Sequence, residues 1–225
     1  MTRERWMALF FATGSTCFLV GPLPGFASLV GETADAVTFF AGSILFTTGG
    51  ALQGYIAFPE RRVDATGRAA WWAAAIQSVG TLYFNVTTYR ALHTALATPG
   101  YDRLVWRPDA LGSFCFLVSG AIAYRASPRR GWLPARIGHG WWEPAVNLLG
   151  CVFFGISAIA GFVVPASGSV IDLAASNFTT SLGAACFLAC ALATLVSGHT
   201  MKSPRLHRLA LLERALTERV EHSLA

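Results

Sequence analysis

The sequence predicts an all-α polytopic membrane protein with six transmembrane helices arranged as three tandem two-helix hairpins. Of the 225 residues, 54% are hydrophobic and only 13% are charged. The apolar residues gather into six long runs, and one short glycine motif recurs in every run. A bilayer core requires about 20 apolar helical residues per span. The runs that meet this length lie at about 6–22, 34–58, 69–91, 109–125, 143–164 and 170–197.

The recurring motif is glycine, a small residue, two variable residues and phenylalanine. Glycines of alternate spans lie about 70 residues apart, so the repeating unit is a two-helix hairpin. Glycine beside a small residue lets two helices approach closely in lipid, and the phenylalanine four residues later shares the glycine's face. We therefore predict that these glycines are helix-packing residues, with a lined path or gate as the alternative. The motif begins at Gly14, Gly42, Gly80, Gly112, Gly150 and Gly183.

The repeat can be described in two ways. An inverted three-plus-three repeat would account for the similar stretches that begin at Gly14 and Gly112. Three direct hairpins account for the constant period and also for tryptophans at equivalent helix starts, such as Trp71 and Trp141, where amphipathic rings favour the membrane interface. We favour direct hairpins, which divide a transmembrane domain at 1–200 into units at about 1–60, 66–127 and 136–198.

The basic residues predict how the chain crosses the membrane. Lys and Arg in short loops are retained on the cytoplasmic side. Of the 17 such residues, only Arg90, Arg103 and Arg107 fall between spans on one face. Both termini are therefore predicted to be cytoplasmic. The strong preference for Arg over Lys is typical of a GC-rich bacterial genome, so the predicted location is a bacterial inner membrane.

The last segment, 201–225, predicts a cytoplasmic amphipathic helix. Leu209, Leu212 and Leu216 fall on one stripe, whereas Arg205 and Arg214 lie largely elsewhere. Such a helix binds the membrane surface when leucines enter the interface and arginines meet anionic lipid. The same stripe could instead pair with a second subunit, so a homo-oligomer or a membrane-protein partner is the alternative.

Two-helix units bearing Gly-Ser-x-x-Phe, as at Gly14 and Gly42, resemble the bacterial YrhK-like membrane domain. The resemblance extends over the spans. It implies an integral membrane protein and no particular activity, because the members of that family are essentially uncharacterised.

Chemistry within the spans is limited to uncharged polar groups. Interhelical hydrogen bonding is the usual role of such side chains in lipid, and a polar path for a solute is the alternative. The cysteines and histidines have no metal-ligand or redox spacing, so no metal and no cofactor are predicted. No basic and aromatic module of the kind that binds nucleic acid is present. The candidate polar residues are Gln77, Asn85, Asn147 and Asn177.

We predict a non-catalytic membrane module that organises lipid or a partner protein, with a small-solute transporter or channel as the alternative. An enzyme is not expected, because no acid, base or nucleophile constellation can be identified. The two functions make opposite structural predictions. A module requires a dry, tightly packed interior, whereas a transporter requires a continuous polar cavity at mid-depth.

Overall fold

The structure is a computed structural model that describes residues 1–94, 100–127, 129–130, 133–134, 142–164 and 168–197. The predicted amphipathic tail at 201–225 lies outside the described residues. So does most of the loop before the fifth long helix, at 127–141.

The described chain is almost entirely helical, which confirms the all-α prediction. Six long helices coincide with the six apolar runs, to within a few residues at their ends. A short helix follows the first of them, and two two-residue strands, β1 (Arg129–Arg130) and β2 (Leu133–Pro134), pair antiparallel. The helices are α1 (Arg3–Val20), α2 (Phe26–Val30), α3 (Glu32–Ala57), α4 (Ala65–Ala91), α5 (Arg107–Ala126), α6 (Trp142–Ala160) and α7 (Leu173–Ser197).

Local sequence explains where several helices begin. The Asp64 side chain accepts a hydrogen bond from the backbone N–H of Gly67 at 2.8 Å and caps α4. Asp172 accepts from the N–H of Ala175 at 2.9 Å in the same way at α7. The loop after α1 holds the short helix α2. Gly25 and Gly31 flank that helix at φ +88° and +90°, a backbone conformation that favours glycine.

The six long helices form a closed ring. Each packs against the next one along the chain, and α7 packs back against α1. Neighbouring helices run antiparallel, so α1, α4 and α6 begin at one end of the ring. We call this the arginine-rich end, because it carries Arg3, Arg61, Arg62, Arg68 and Arg125. The opposite end carries Arg90, Asp102, Arg103 and Arg107.

Three helical stretches of the described chain are long and apolar enough to cross a membrane. They are Glu32–Arg62, Trp142–Ala160 and Leu173–Val196. The other long helices are more polar: α1 opens with two arginines and a glutamate, and α4 contains Gln77 and Asn85. The structure therefore supports a membrane protein, with three helices that qualify on length and composition.

Candidate functional site

The phenylalanines of the six motif copies meet at the centre of the ring. Each long helix contributes one ring to this phenylalanine cluster, and every one of them is buried. Centroid separations between contacting members run from 5.0 Å for Phe84 and Phe116 to 6.4 Å for Phe18 and Phe46. The edge-on or tilted contacts of most pairs suit the quadrupoles of the rings. The members are Phe18, Phe46, Phe84, Phe116, Phe154 and Phe187.

The motif glycines lie in pairs where the two helices of a hairpin touch. A Cβ on Gly14 would stand 2.9 Å from the carbonyl oxygen of Gly42, and one on Gly112 would stand 3.1 Å from that of Gly80. In the third hairpin the corresponding separation, from Gly150 to the oxygen of Gly183, is also 3.1 Å. No larger residue fits these contacts without displacing a backbone.

The small residue after each glycine is almost completely buried, from 0% to 2% exposed. Two of these side chains contact the neighbouring hairpin: the Ser43 hydroxyl is 2.9 Å from that of Thr88 in α4, and the Cys151 sulfur faces Gly120 in α5. The motif therefore supplies one contact within a hairpin and a second between hairpins. The six residues are Ser15, Ser43, Thr81, Ser113, Cys151 and Ala184.

A cavity of about 460 Å³ lies between the phenylalanine cluster and the arginine-rich end. We call it the chamber. All six long helices line it, and Phe46 and Phe187 form its floor. A void of only about 10 Å³ lies within the cluster itself, which is room for about one water molecule. The axis of the ring is thus filled by side chains at its centre and hollow between that centre and the arginine-rich end.

The first layer of the chamber, next to the floor, is built from equivalent positions of the three hairpins. Each hairpin has two motif glycines, one in each helix. The positions of this layer lie three residues before the first motif glycine and seven residues after the second. The second hairpin places Gln77 and Ser119 there, and the third places Asn147 and Cys190. The first hairpin has Phe11, whose ring is 3.0 Å from the Cβ that Gly49 lacks. In this layer the second and third hairpins therefore present polar side chains, and the first hairpin presents an aromatic ring.

The second layer lies nearer the arginine-rich end and is also built from equivalent positions of the three hairpins. These positions lie seven residues before the first motif glycine and eleven residues after the second. Its members differ sharply between hairpins. Met7 and Gln53 come from the first hairpin, Ala73 and Ala123 from the second, and Glu143 and Thr194 from the third. Glu143 is the only ionisable side chain apart from Cys190 among the described residues that line the chamber.

Some polar side chains of the chamber wall are hydrogen-bonded, and others lack a strong partner among the described residues. Ser119 donates to the Ala73 carbonyl at 2.7 Å and lies 3.3 Å from the Gln77 carbonyl oxygen, so one amide is anchored. The Gln53 side-chain oxygen is buried and has no hydrogen-bond partner among the described residues. The Asn147 amide lies 4.0 Å from the Cys151 sulfur, a weak contact. A buried amide without a partner is costly, so these groups suit a bound polar molecule or water.

Two of the four predicted polar residues lie in the chamber and two do not. Gln77 and Asn147 occupy equivalent positions on its wall. Asn85 follows Phe84 by one residue, which turns it about 100° from the axis, and its oxygen accepts from Thr47 of α3 at 3.2 Å. Asn177 precedes the floor residue Phe187 by ten residues, about 15 Å of helix. The chamber therefore does not extend along all four.

The opposite end of the ring is closed by short polar contacts. Thr87 donates to the Val105 carbonyl at 3.1 Å, and its repeat equivalent Ser157 donates to the Ser176 carbonyl at 2.9 Å. The segment before α5 forms a π-helical turn over Asp102–Trp106, and the Trp106 indole donates to the Ala158 carbonyl at 2.7 Å. Burial, with a smaller effect of the Asp109 carboxylate, raises the pKa of Tyr101 to about 12.

Among the described residues, no three His, Cys, Asp or Glu side chains are grouped closely enough to hold a metal ion. Comparison with protein-family models, curated proteins and solved structures finds no match. The resemblance to the YrhK-like domain stays a prediction. The chamber is consequently the feature of the described chain from which function is best argued.

Sequence reasoning missed several chamber residues, although a signal for them was available. Ser119, Thr194 and Phe11 attracted no attention because each is unremarkable in its own helix. Counting from the motif glycines places Phe11 at the repeat position of Gln77 and Thr194 at that of Gln53. Ser119 falls in the same layer as Gln77. Repeat register, rather than residue type, was the informative signal.

Proposed function

We propose that this chain is a six-span membrane protein that binds a small solute in the chamber and passes it across the membrane as a transporter or channel. One observation carries the proposal: the closed ring surrounds a cavity of about 460 Å³ with Gln77 and Asn147 on its wall. Binding sites for small molecules usually have volumes of about 300–1,000 Å³, with apolar walls and a few polar groups. The phenylalanine cluster would be the barrier between this cavity and the opposite end.

The outer faces of the less apolar helices support six spans. In α4 the outward residues Val79, Leu82 and Val86 are 41–55% exposed and lie on one stripe. In α5 the exposed residues include Leu111 and Phe114. Each helix turns its polar and small residues inward, which lowers its mean hydropathy without making its outer surface polar. A contiguous apolar exterior of this kind requires lipid or a partner protein.

The proposed orientation places the arginine-rich end and both termini in the cytoplasm of a bacterial cell, with the chamber on that side. Single cysteines at Thr2 and Ser28 test the first span, because they should react from opposite faces of the membrane. Positions Val63 and Arg103 test α4 in the same way. A pair that labels from one face only would remove that helix from the set of spans.

The chamber itself is tested by labelling single cysteines with a membrane-impermeant maleimide in inside-out vesicles. The five native cysteines are replaced by alanine, and cysteine is introduced at Gln77 or Asn147. Asn85 and Asn177 serve as matched controls, because they are also amides in the spans but lie away from the chamber. We expect the first pair to label and the second pair to be protected. Protection of all four positions would overturn the proposal.

A lipid-organising module remains the second candidate, because aromatic and basic side chains combine at the arginine-rich end. Tyr55 and Phe58 are 59% and 48% exposed, the Arg3 guanidinium lies 5.0 Å from the Tyr55 ring centroid, and that of Arg61 lies 3.3 Å from the Phe58 centroid. Such groups favour the interface and attract anionic headgroups. Deleting 203–225 should weaken anionic-lipid binding or oligomerisation without unfolding the ring, as analysed by native mass spectrometry.

A further inference from the structure

We propose that the chamber selects a small amphipathic organic cation, with its ammonium group near Glu143 and its apolar part against the aromatic side of the first hairpin. This inference rests on the proposed function, because it names the class of solute that the chamber would take. It depends on the uneven distribution of charge and apolar surface among three otherwise equivalent hairpins.

The fixed charge of the chamber is negative. Glu143 is half-buried on the third hairpin, and no ion-pair partner for it lies among the described residues. No Lys, Arg or His is among the described residues that line the cavity. Arg68 and Arg125 are at the same end of the ring, but both are exposed and neither lines the chamber. A half-buried carboxylate with no basic neighbour among the described residues of the wall favours a cation.

The helix dipoles add little net charge on the axis of the chamber. At the arginine-rich end α1, α4 and α6 begin whereas α3, α5 and α7 end, so positive and negative dipole ends alternate around the ring. Because each end carries a partial charge of about half a unit, their fields largely oppose one another on the axis. Glu143 is the carboxylate among the described residues of the wall.

The neutral polar groups of the wall add acceptors. The Gln53 side-chain oxygen is buried, has no hydrogen-bond partner among the described residues and occupies the same layer as Glu143. Both groups present oxygen acceptors, which disfavour an anion, whereas the N–H donors of an ammonium group suit either oxygen.

The apolar part of the wall lies on a different hairpin. Phe11 and Met7 of the first hairpin take the places that Asn147 and Glu143 occupy in the third. Phe46 and Phe187 form the floor. A solute with a single charged group and an apolar body therefore meets a matching surface at both ends, and an aromatic wall also attracts cations.

Cys190 offers a reporter, because it lies on the chamber wall beside these groups. The four other cysteines are replaced by alanine, and the purified protein in nanodiscs is treated with methanethiosulfonates bearing a trimethylammonium or a sulfonate group. We expect the cationic reagent to react at least ~10-fold faster than the anionic one. Glu143→Gln should bring the ratio towards one. Asp172→Asn, which removes a carboxylate at the opposite end, should leave the ratio unchanged.

A competition experiment then tests the solute class. 2-Phenylethylammonium should protect Cys190 at a concentration at least ~10-fold lower than 2-phenylethanol, a neutral molecule of similar size. Glu143→Gln should abolish this difference. If the alanine replacements prevent folding, the native chain is labelled instead and the modified cysteine is located by peptide mass spectrometry.

The outcomes separate the two proposals. Reaction of Cys190 with both reagents at equal rates, or faster reaction with the anion, overturns cation selection and leaves a solute chamber in place. Failure of every reagent to reach Cys190 in folded protein overturns the accessible chamber and the cation inference together.

Discussion

The phenylalanine cluster and the chamber are neighbouring sections of one ring, yet one is filled and the other is hollow. At the cluster all six helices present the same large side chain to the axis. Closer to the arginine-rich end, the equivalent positions hold Phe11 in one hairpin but Gln77 and Asn147 in the others. The repeat thus determines how the helix backbones are arranged. The side chains that differ between hairpins determine whether the axis of the ring is filled or empty.

The largest expected effect comes from removing one ring of the cluster. Phe116 is 2% exposed, and its replacement by alanine should lower the free energy of unfolding by about 3–5 kcal/mol, because a cavity replaces close packing. Phe114, two residues earlier in α5, is 63% exposed and is the matched control. Reversible unfolding in mixed micelles measures both. Equal losses for the two variants would mean that the cluster is not the packed centre.

Adding volume should distinguish the two sections directly. Ala184 is fully buried beside the cluster, so Ala184→Leu should cost about 3 kcal/mol through overpacking. Ala123 lines the chamber, and Ala123→Leu should change stability little because space is available. The same denaturation assay compares them, and a destabilised Ala123→Leu variant would mean that the chamber is not empty space.

The hairpin contact is tested by a single methyl group. Gly14→Ala should cost about 2 kcal/mol, because the new Cβ would stand 2.9 Å from the Gly42 carbonyl oxygen and the helices would have to separate. In the same hairpin, Gly54 has nothing within 4 Å of an added Cβ and serves as the control. Thermal unfolding of the two variants in detergent should differ. A fully stable Gly14→Ala protein would contradict the close helix approach.

The smallest effect concerns the polar wall. Ser119→Ala removes the hydroxyl that donates to the Ala73 carbonyl and lies 3.3 Å from the Gln77 side-chain oxygen, and it should cost about 1 kcal/mol, as is usual for such bonds in membranes. Thr48→Ala is the control, because its hydroxyl bonds only to Ile44 within its own helix. Calorimetric unfolding in detergent, with several repeats, can resolve the difference. An unchanged unfolding free energy for Ser119→Ala would show that Gln77 needs no anchor.

Much of the fold follows from local sequence. Helix positions were predictable because each long helix coincides with a continuous apolar run and because Asp64 and Asp172 are good caps. Gln77 and Asn147 were recognisable as interior groups, since an amide facing lipid is unfavourable. Their location in one chamber was not predictable. It depends on how far the other four helices lean towards the axis, and no single helix carries that information.

Glu143 illustrates the same limit. By sequence it is an acid in the first turn of a helix, where a carboxylate suits the dipole. Only the neighbouring helices show that it also faces a cavity with no basic side chain among its described wall residues.

The sequence by itself determined the repeat, the approximate helix positions and the glycine contacts within each hairpin, because each depends on spacing along one helix or one hairpin. Only the tertiary structure decided that the ring closes through α7 and α1, that six phenylalanines meet on its axis and that a chamber remains on one side. Closure and empty volume depend on the sum of packing distances around all six helices. A pattern of residues along the chain does not specify that sum.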